Sequence, residues 1–320
     1  MQSVTHAKTN RRRWRALCCF VVLAALSGSM HISGVLAQQA AQGQKTFPSA
    51  QQAVSDLVEA AKAHDRNQVM QILGPQAQDI LSSGDEVADK QMREQFLQKY
   101  DQMHRLVAES DGTVNLYIGA ENWPFPIPIV KRNNVWLFDT AAGKQEVLYR
   151  RIGRNELSTI DTLHALVDAQ KEYASQPRDR ETVKQYAQKL LSDEGRHNGL
   201  YWKSGEGEPS SPIGPLIAQA AQEGYRRKEG PLPFHGYIYR LLQSQSKNAS
   251  GGAMSYMQNG KMTRGFAIIA YPVEYKNSGV TTFIVNQDGQ IYQKDLGPDT
   301  ARIAQAITVY DPDKPWQVVE

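Results

Sequence analysis

Five histidines lie beyond residue 37: His64, His104, His164, His197 and His235. No two of them stand four apart and no H-E-x-x-H occurs, so the sequence writes no helical zinc site. It carries no G-x-S-x-G elbow and no Walker loop, and Gly251-Gly252 is a lone glycine pair, a weak phosphate signal. His235 is the best single histidine, because Gly236 and Tyr237 follow it at the start of a strand pattern. Its structural reading is a strand-start histidine bonded to backbone. Binding needs less than catalysis: Trp123, just before a strand pattern, and Trp136 and Phe138, on the next one, are candidates to line a pocket. With His235 and Tyr237 they make up the candidate ligand-binding set. The sequence names no catalytic residue, no metal-ligand set and no cofactor.

Arg150, Arg151 and Arg154 form a dense basic group. Chemically it is an anion site. Structurally it reads as the solvated C-terminal end of a helix over about 141–154, where cations meet the negative end of the helix dipole and Glu146 and Glu156 are near enough to pair. Six tyrosines between Tyr237 and Tyr292, with Trp202, offer a carbohydrate or peptide surface; the ordinary reading is half-buried sheet positions with wet hydroxyls.

The N-terminus addresses the compartment. Arg11, Arg12, Arg13 and Arg15 precede an apolar run from Ala16 to about Leu26, and Val35-Leu36-Ala37 supplies small residues for a peptidase. Residues 1–37 therefore read as a secretory signal peptide cut after Ala37. The run is too short to span a bilayer, and no later stretch is long and apolar enough to do so. The expected location is the bacterial envelope, periplasmic or secreted. Both cysteines, Cys18 and Cys19, fall inside the signal. The mature chain is cysteine-free, which excludes a disulfide framework, a thiolate nucleophile and a cysteine-ligated metal. Removing Lys8 and the four arginines leaves 31 basic against 33 acidic residues, net −2, so the precursor's basic pI is no argument for nucleic acid as a partner.

The elements expected to position these residues give an α+β chain in two domains after a polar lead over 38–47. The first, 48–152, opens on the capping-box pattern Ser49-Ala50-Gln51-Gln52, with a helix whose apolar face carries Val54, Leu57, Val58 and Ala61. Asp65 caps a second helix stopped by Gly74-Pro75, and a third runs over about 86–102. Strands follow at 114–118, 127–130 and 135–138, with Asn133-Asn134 as a turn. The second domain, 153–320, has a long helix over about 155–175, a shorter one over 178–191, a turn-rich stretch, and a short helix over 215–224. Strands over 235–242, 265–272, 281–286 and 291–294 come next, with Asp288-Gly289 as a hairpin turn, and a helix over 300–309 closes the chain.

Three resemblances accompany this reading. Trp123-Pro124-Phe125-Pro126, Phe138-Asp139-Thr140-Ala141, Arg151-Ile152-Gly153-Arg154-Asn155-Glu156-Leu157, Gly199-Leu200-Tyr201-Trp202, His235-Gly236-Tyr237 and Asp295-Leu296-Gly297-Pro298 span nearly the whole mature chain. On these residues it closely resembles the bacterial family catalogued as domain of unknown function 2950. The resemblance implies an exported protein with no assigned activity and, as a partner, another exported envelope protein. The stretch Arg178-Asp179-Arg180-Glu181 lacks the glycine of a calcium loop. The helices-then-meander of the first domain resembles the cone-shaped nuclear-transport-factor-2-like fold, which implies a pocket. The long helix and meander of the second resemble the globular part of pseudopilins and pilins. Two functions follow: noncatalytic binding or scaffolding in the envelope, or a small-ligand binder or hydrolase using a pocket in the first domain.

Overall fold

The computed structural model describes residues 43–205, 207, 209–225 and 233–319; the expected signal peptide lies outside them. Helix α1 (Ala50–Lys62) buries Val54, Leu57, Val58 and Ala61 on the expected face. Ser49 Oγ accepts from Gln52 N at 3.1 Å, but the Gln52 side chain donates forward to Asp56, so half of the capping box is made. Helix α2 (Arg66–Leu73) is capped by Asp65, which accepts from Gln68 N at 2.9 Å, and ends at Gly74 with φ 83°. Helix α3 (Glu86–Gln102) starts at the buried Asp85, whose Oδ1 accepts from Val87 N and Ala88 N. The polar lead is not free: Phe47 is buried and exchanges two backbone hydrogen bonds of 2.8 Å with Trp136, while Gln44 donates to the Ile72, Leu73 and Phe138 carbonyls.

Strands β1 (His104–Ala108), β2 (Val114–Ile118), β3 (Trp123–Pro124), β4 (Ile129–Arg132) and β5 (Val135–Phe138) form an antiparallel sheet of order β1-β2-β4-β5, with β3 on β2. β2 alternates as expected, burying Val114, Leu116 and Ile118. β4 starts two residues later than the sequence suggests, because Pro126 and Pro128 have no N–H for the ladder. Asn133 and Asn134 take φ of 49° and 63°, the left-handed pair that a tight two-residue hairpin requires.

The two helices expected over 141–154 and 155–175 are one helix, α4 (Thr140–Ala174), of 35 residues. Its first half sends Val147 and Leu148 onto a core with Leu57, Ile72, Leu116 and Phe138. Its second half sends Leu163, Leu166, Val167 and Tyr173 into a separate core with Phe266, Ile269, Phe283 and Trp202. Gly143 lets the helix lie against the Pro126–Ile127 backbone: a Cβ there would stand 2.5 Å from the Pro126 carbonyl oxygen.

Helix α5 (Gly214–Glu223) stops at Gly224 with φ 106°. Strand β6 (Tyr237–Leu242) precedes two short pairs, β7 (Ser244–Gln245) with β8 (Met254–Ser255) and β9 (Met257–Gln258) with β10 (Lys261–Met262). β11 (Ala267–Pro272), β12 (Thr281–Asn286) and β13 (Ile291–Asp295) follow, then α6 (Thr300–Ala306) and β14 (Gln317–Val318). The second sheet runs β14-β13-β12-β11-β6, antiparallel throughout. Every residue of β11 is buried, and Gly289 at φ 84° closes the β12–β13 turn as expected. The molecule is thus α+β. Residues 178–191, expected to be helical, are not. Asp179 and Arg180 take positive φ, and the backbone finds partners elsewhere: Ala187 exchanges two hydrogen bonds with the buried Gln170 side chain, and Tyr186 N donates to Met262 O.

One face of α4 joins the two halves. Arg151, 2% exposed, donates through Nη1 to the Asp79 carbonyl at 3.3 Å and to Asn277 Oδ1, and through Nη2 to the Ile80 carbonyl. One turn on, Asn155 donates to the Ser278 carbonyl at 2.9 Å, and Glu156 Oε1 accepts from Val280 N and Thr281 N at 3.0 Å. Together they grip the connection between β11 and β12. Arg151→Ala strands two carbonyls and an amide oxygen at a buried site, so it is expected to cost about 3 kcal/mol or more of unfolding free energy in urea. A loss under about 1 kcal/mol shows that the grip carries little.

Candidate functional site

A cavity of about 390 Å³ lies between α1, α2, α3, the Trp123–Ile127 segment and the first half of α4. Its walls are mainly apolar. Leu57 and Ala61 come from α1, Val69 from α2, Met92 and Phe96 from α3, and Val147 from α4. These residues face inward because each helix keeps its apolar stripe toward the sheet. The aromatic wall is layered: Phe96 and Phe125 lie 5.3 Å apart between centroids, and Phe125 meets Phe138 edge-on at 6.3 Å. Such a space suits a small ligand and is not closed by side chains.

Charge is distributed unevenly around it. Arg66, Arg93, Lys99, Arg150, Arg151 and Arg154 line the cavity, against two carboxylates, Asp65 and Asp89. The carboxylates serve the backbone, Asp65 accepting from Gln68 N and Asp89 from Ser83 N at 3.0 Å. Arg150 lies over the Trp123 ring at 4.5 Å and pairs with Glu146 at 2.6 Å. Burial, with Arg154 adding to it, holds the Arg151 pKa below the ordinary arginine value, while Asp89 and Glu274 act the other way. Arg154 has an exposed side chain, yet enough protein surrounds it to lower its pKa. The arginines therefore do not form a solvated helix end. They stand mid-helix, and Glu156, expected as their partner, binds Val280 and Thr281 instead.

Of the aromatic candidates, Trp123 lines the cavity. Phe138 is 1% exposed and backs Phe125 from the core. Trp136 is engaged through its backbone with Phe47 and is not part of the lining. Arg93, Phe96 and Phe125 belong to the site and were not singled out by sequence; the available signal was the α3 stripe Met92, Phe96, carrying an arginine between. The family model for the protein of unknown function DUF2950 matches residues 44–319. The chain belongs to this family. Comparison with curated proteins and with solved structures found no match. Among the described residues no helix is long and apolar enough to cross a membrane, and no group of three histidine, cysteine or carboxylate residues could hold a metal ion.

His235 and Tyr237 sit away from the cavity lining. Tyr237 is buried, and its hydroxyl donates to the Thr281 carbonyl at 2.9 Å. Burial, with Glu156 nearby, pushes its pKa above the ordinary tyrosine value. Tyr256, Tyr271 and Trp202 are likewise buried, so the tyrosines do not make a continuous outer surface. His235 has φ 51° and precedes β6 as a turn residue. Its N–H donates to the Tyr225 hydroxyl at 3.1 Å, and its Nε2 lies 3.4 Å from Glu223 Oε2. Asp85 Oδ2 accepts from the Tyr225 hydroxyl at 2.7 Å and from Gly236 N at 3.0 Å, which carries the cluster onto the start of α3. This is a structural knot, and backbone bonding dominates it.

Burial lowers the His235 pKa from 6.5, against the pull of Glu223 and Asp85 and with help from Arg154. The unfolded chain then binds the proton first as pH falls. The stabilisation is complete above about pH 6.5 and is lost progressively below it, as pH falls toward the folded pKa. His235→Asn keeps a residue that tolerates positive φ. It is expected to flatten the fall in urea midpoint between about pH 7.5 and 5.5; an unchanged slope assigns that fall to other groups.

Proposed function

We propose that this protein is a noncatalytic small-ligand binder of the bacterial cell envelope, with the cavity of the first half as its site. The carrying observation is the open apolar space of about 390 Å³ lined by Trp123, Phe96 and Val147 and edged by arginines. One oxygen of each of its two carboxylates accepts from backbone, and the lining His64 has no ring hydrogen bond to either among the described residues, which favours binding over proton transfer as the chemistry of the walls. An apolar space between helices and sheet also supports the cone-shaped, nuclear-transport-factor-2-like reading of residues 48–152. Export to the periplasm or beyond is supported by the arginine-then-apolar pattern of residues 11–26 and the small residues before 38.

The test uses 1-naphthylamine, a neutral fluorescent probe small enough for this space. Emission is expected to rise on mixing with the protein, and Val147→Trp, which fills the space, is expected to weaken binding by about tenfold or more while leaving the circular dichroism spectrum unchanged. No emission change with the wild-type chain, or equal binding by the filled variant, would remove the cavity as the site.

A further inference from the structure

We infer that the cavity's ligand is an amphipathic monoanion whose carboxylate lies against Arg93 and Arg154 and whose apolar body lies among Phe96, Phe125 and Val147. This rests on the binding reading above and adds the class of ligand.

The argument starts from what each cation already does. Arg66 donates to the Leu81 carbonyl, Lys99 pairs with Glu121 and Arg150 with Glu146. Arg151 is held by two carbonyls and Asn277. Arg93 and Arg154 line the same space, and neither has a carboxylate within ion-pair distance among the described residues. The Nε atoms of Arg93 and of the buried Arg151 are shielded from solvent and have no hydrogen-bond partner among the described residues. Shielding from water closes those Nε atoms to a ligand as well, so a carboxylate in the cavity meets the terminal N–H groups of Arg93 and Arg154. Asp89 lies in the same wall and offsets part of the positive charge, but Ser83 N occupies one of its oxygens. The planar fork of arginine matches a carboxylate better than a compact cation would.

Size limits the apolar body. A volume of about 390 Å³ holds about a dozen non-hydrogen atoms, at roughly 30 Å³ each as in a liquid. An alkyl carboxylate of about ten carbons fits that count, and a membrane lipid with two long chains does not.

The experiment is isothermal titration of the protein with decanoate, decanol and decyltrimethylammonium. Decanoate is expected to bind about tenfold or more tighter than decanol, the effect of one charge-assisted hydrogen bond, and the ammonium compound is expected to be weakest. Arg93→Gln with Arg154→Gln should bring decanoate to within about threefold of decanol while leaving decanol binding unchanged. Lys90→Gln, an exposed change on the same helix and outside the lining, should leave the preference intact. Equal affinity for decanoate and decanol in the wild-type chain overturns the proposal and spares the binding reading. A decanoate preference that survives in the double variant overturns the assignment to these arginines. Binding of none of the three overturns both.

Discussion

The structure depends on one helix face gripping one loop. Arg151, Asn155 and Glu156 of α4 reach the connection between β11 and β12, and all three bonds involve buried or backbone groups. Buried polar groups carry a penalty unless satisfied, and this contact satisfies most of its own: Arg151 and Asn155 donate to the Asn277 side-chain oxygen and the Ser278 carbonyl, and the Glu156 carboxylate accepts from the Val280 and Thr281 N–H groups. The loop's own geometry is shaped to this contact. Gly236, beside it, approaches so closely that a Cβ there would stand 2.5 Å from Asn155 Nδ2. Since α4 also supplies a wall to each hydrophobic core, its orientation relative to one sheet sets its orientation relative to the other.

That constraint explains the cavity. Helix α4 lies against Pro126 and Ile127 at Gly143, where no side chain keeps the backbones apart, and turns Val147, Arg150 and Arg154 to the cavity farther on. The space lies between that stretch of the helix and the segment bearing Trp123 and Phe125. The medium side chains there, Val147 and Met92, do not fill it. An empty apolar space costs stability in proportion to its volume, so a fold that keeps one retains it against that cost.

Much of the framework was legible in the sequence because local rules and tertiary demands agree. The alternation of β2, the Asn133-Asn134 turn, the Asp65 cap and the Asp288-Gly289 hairpin all behave as their residue types require. The continuity of α4 was not legible. Gly153 and Asn155 look like a helix boundary, glycine as a stop and asparagine as a cap. In the fold Asn155 uses its amide on Ser278, 123 residues away, and leaves the helix intact. Residues 178–191 failed in the opposite sense: Val183, Tyr186 and Leu190 have helical spacing, but the Gln170 side chain offers Ala187 a better pairing than a helix would. Both misreadings come from a side chain acting far along the chain, which periodicity does not register. The aromatic candidates divide for a related reason. Trp123, Trp136 and Phe138 share strand character, yet which of them meets the cavity depends on where α3 and α4 cross the sheet.

The charge at the cavity runs against the composition of the chain. Beyond residue 37 the acidic residues outnumber the basic ones by two, yet six cations and two carboxylates line this one space. Cations gathered this way repel one another, and Arg154 accordingly lowers the pKa of Arg151 while the surrounding protein lowers its own. Stability alone does not select such an arrangement. An apolar residue at Arg93 would suit the wall beside Phe96 and remove a shielded donor without an acceptor. Local rules are broken most often where a site needs them broken; shielded Nε atoms without an acceptor also occur at Arg178 and Arg240, away from the cavity, so it is the gathering of cations that sets this wall apart. Arg151 belongs to both systems: it holds Asn277 and the Asp79 and Ile80 carbonyls through its terminal nitrogens, and it lines the cavity beside Arg154. An anion at Arg154 offsets the repulsion that Arg154 exerts on Arg151, so ligand binding and the stability of that joint are thermodynamically linked.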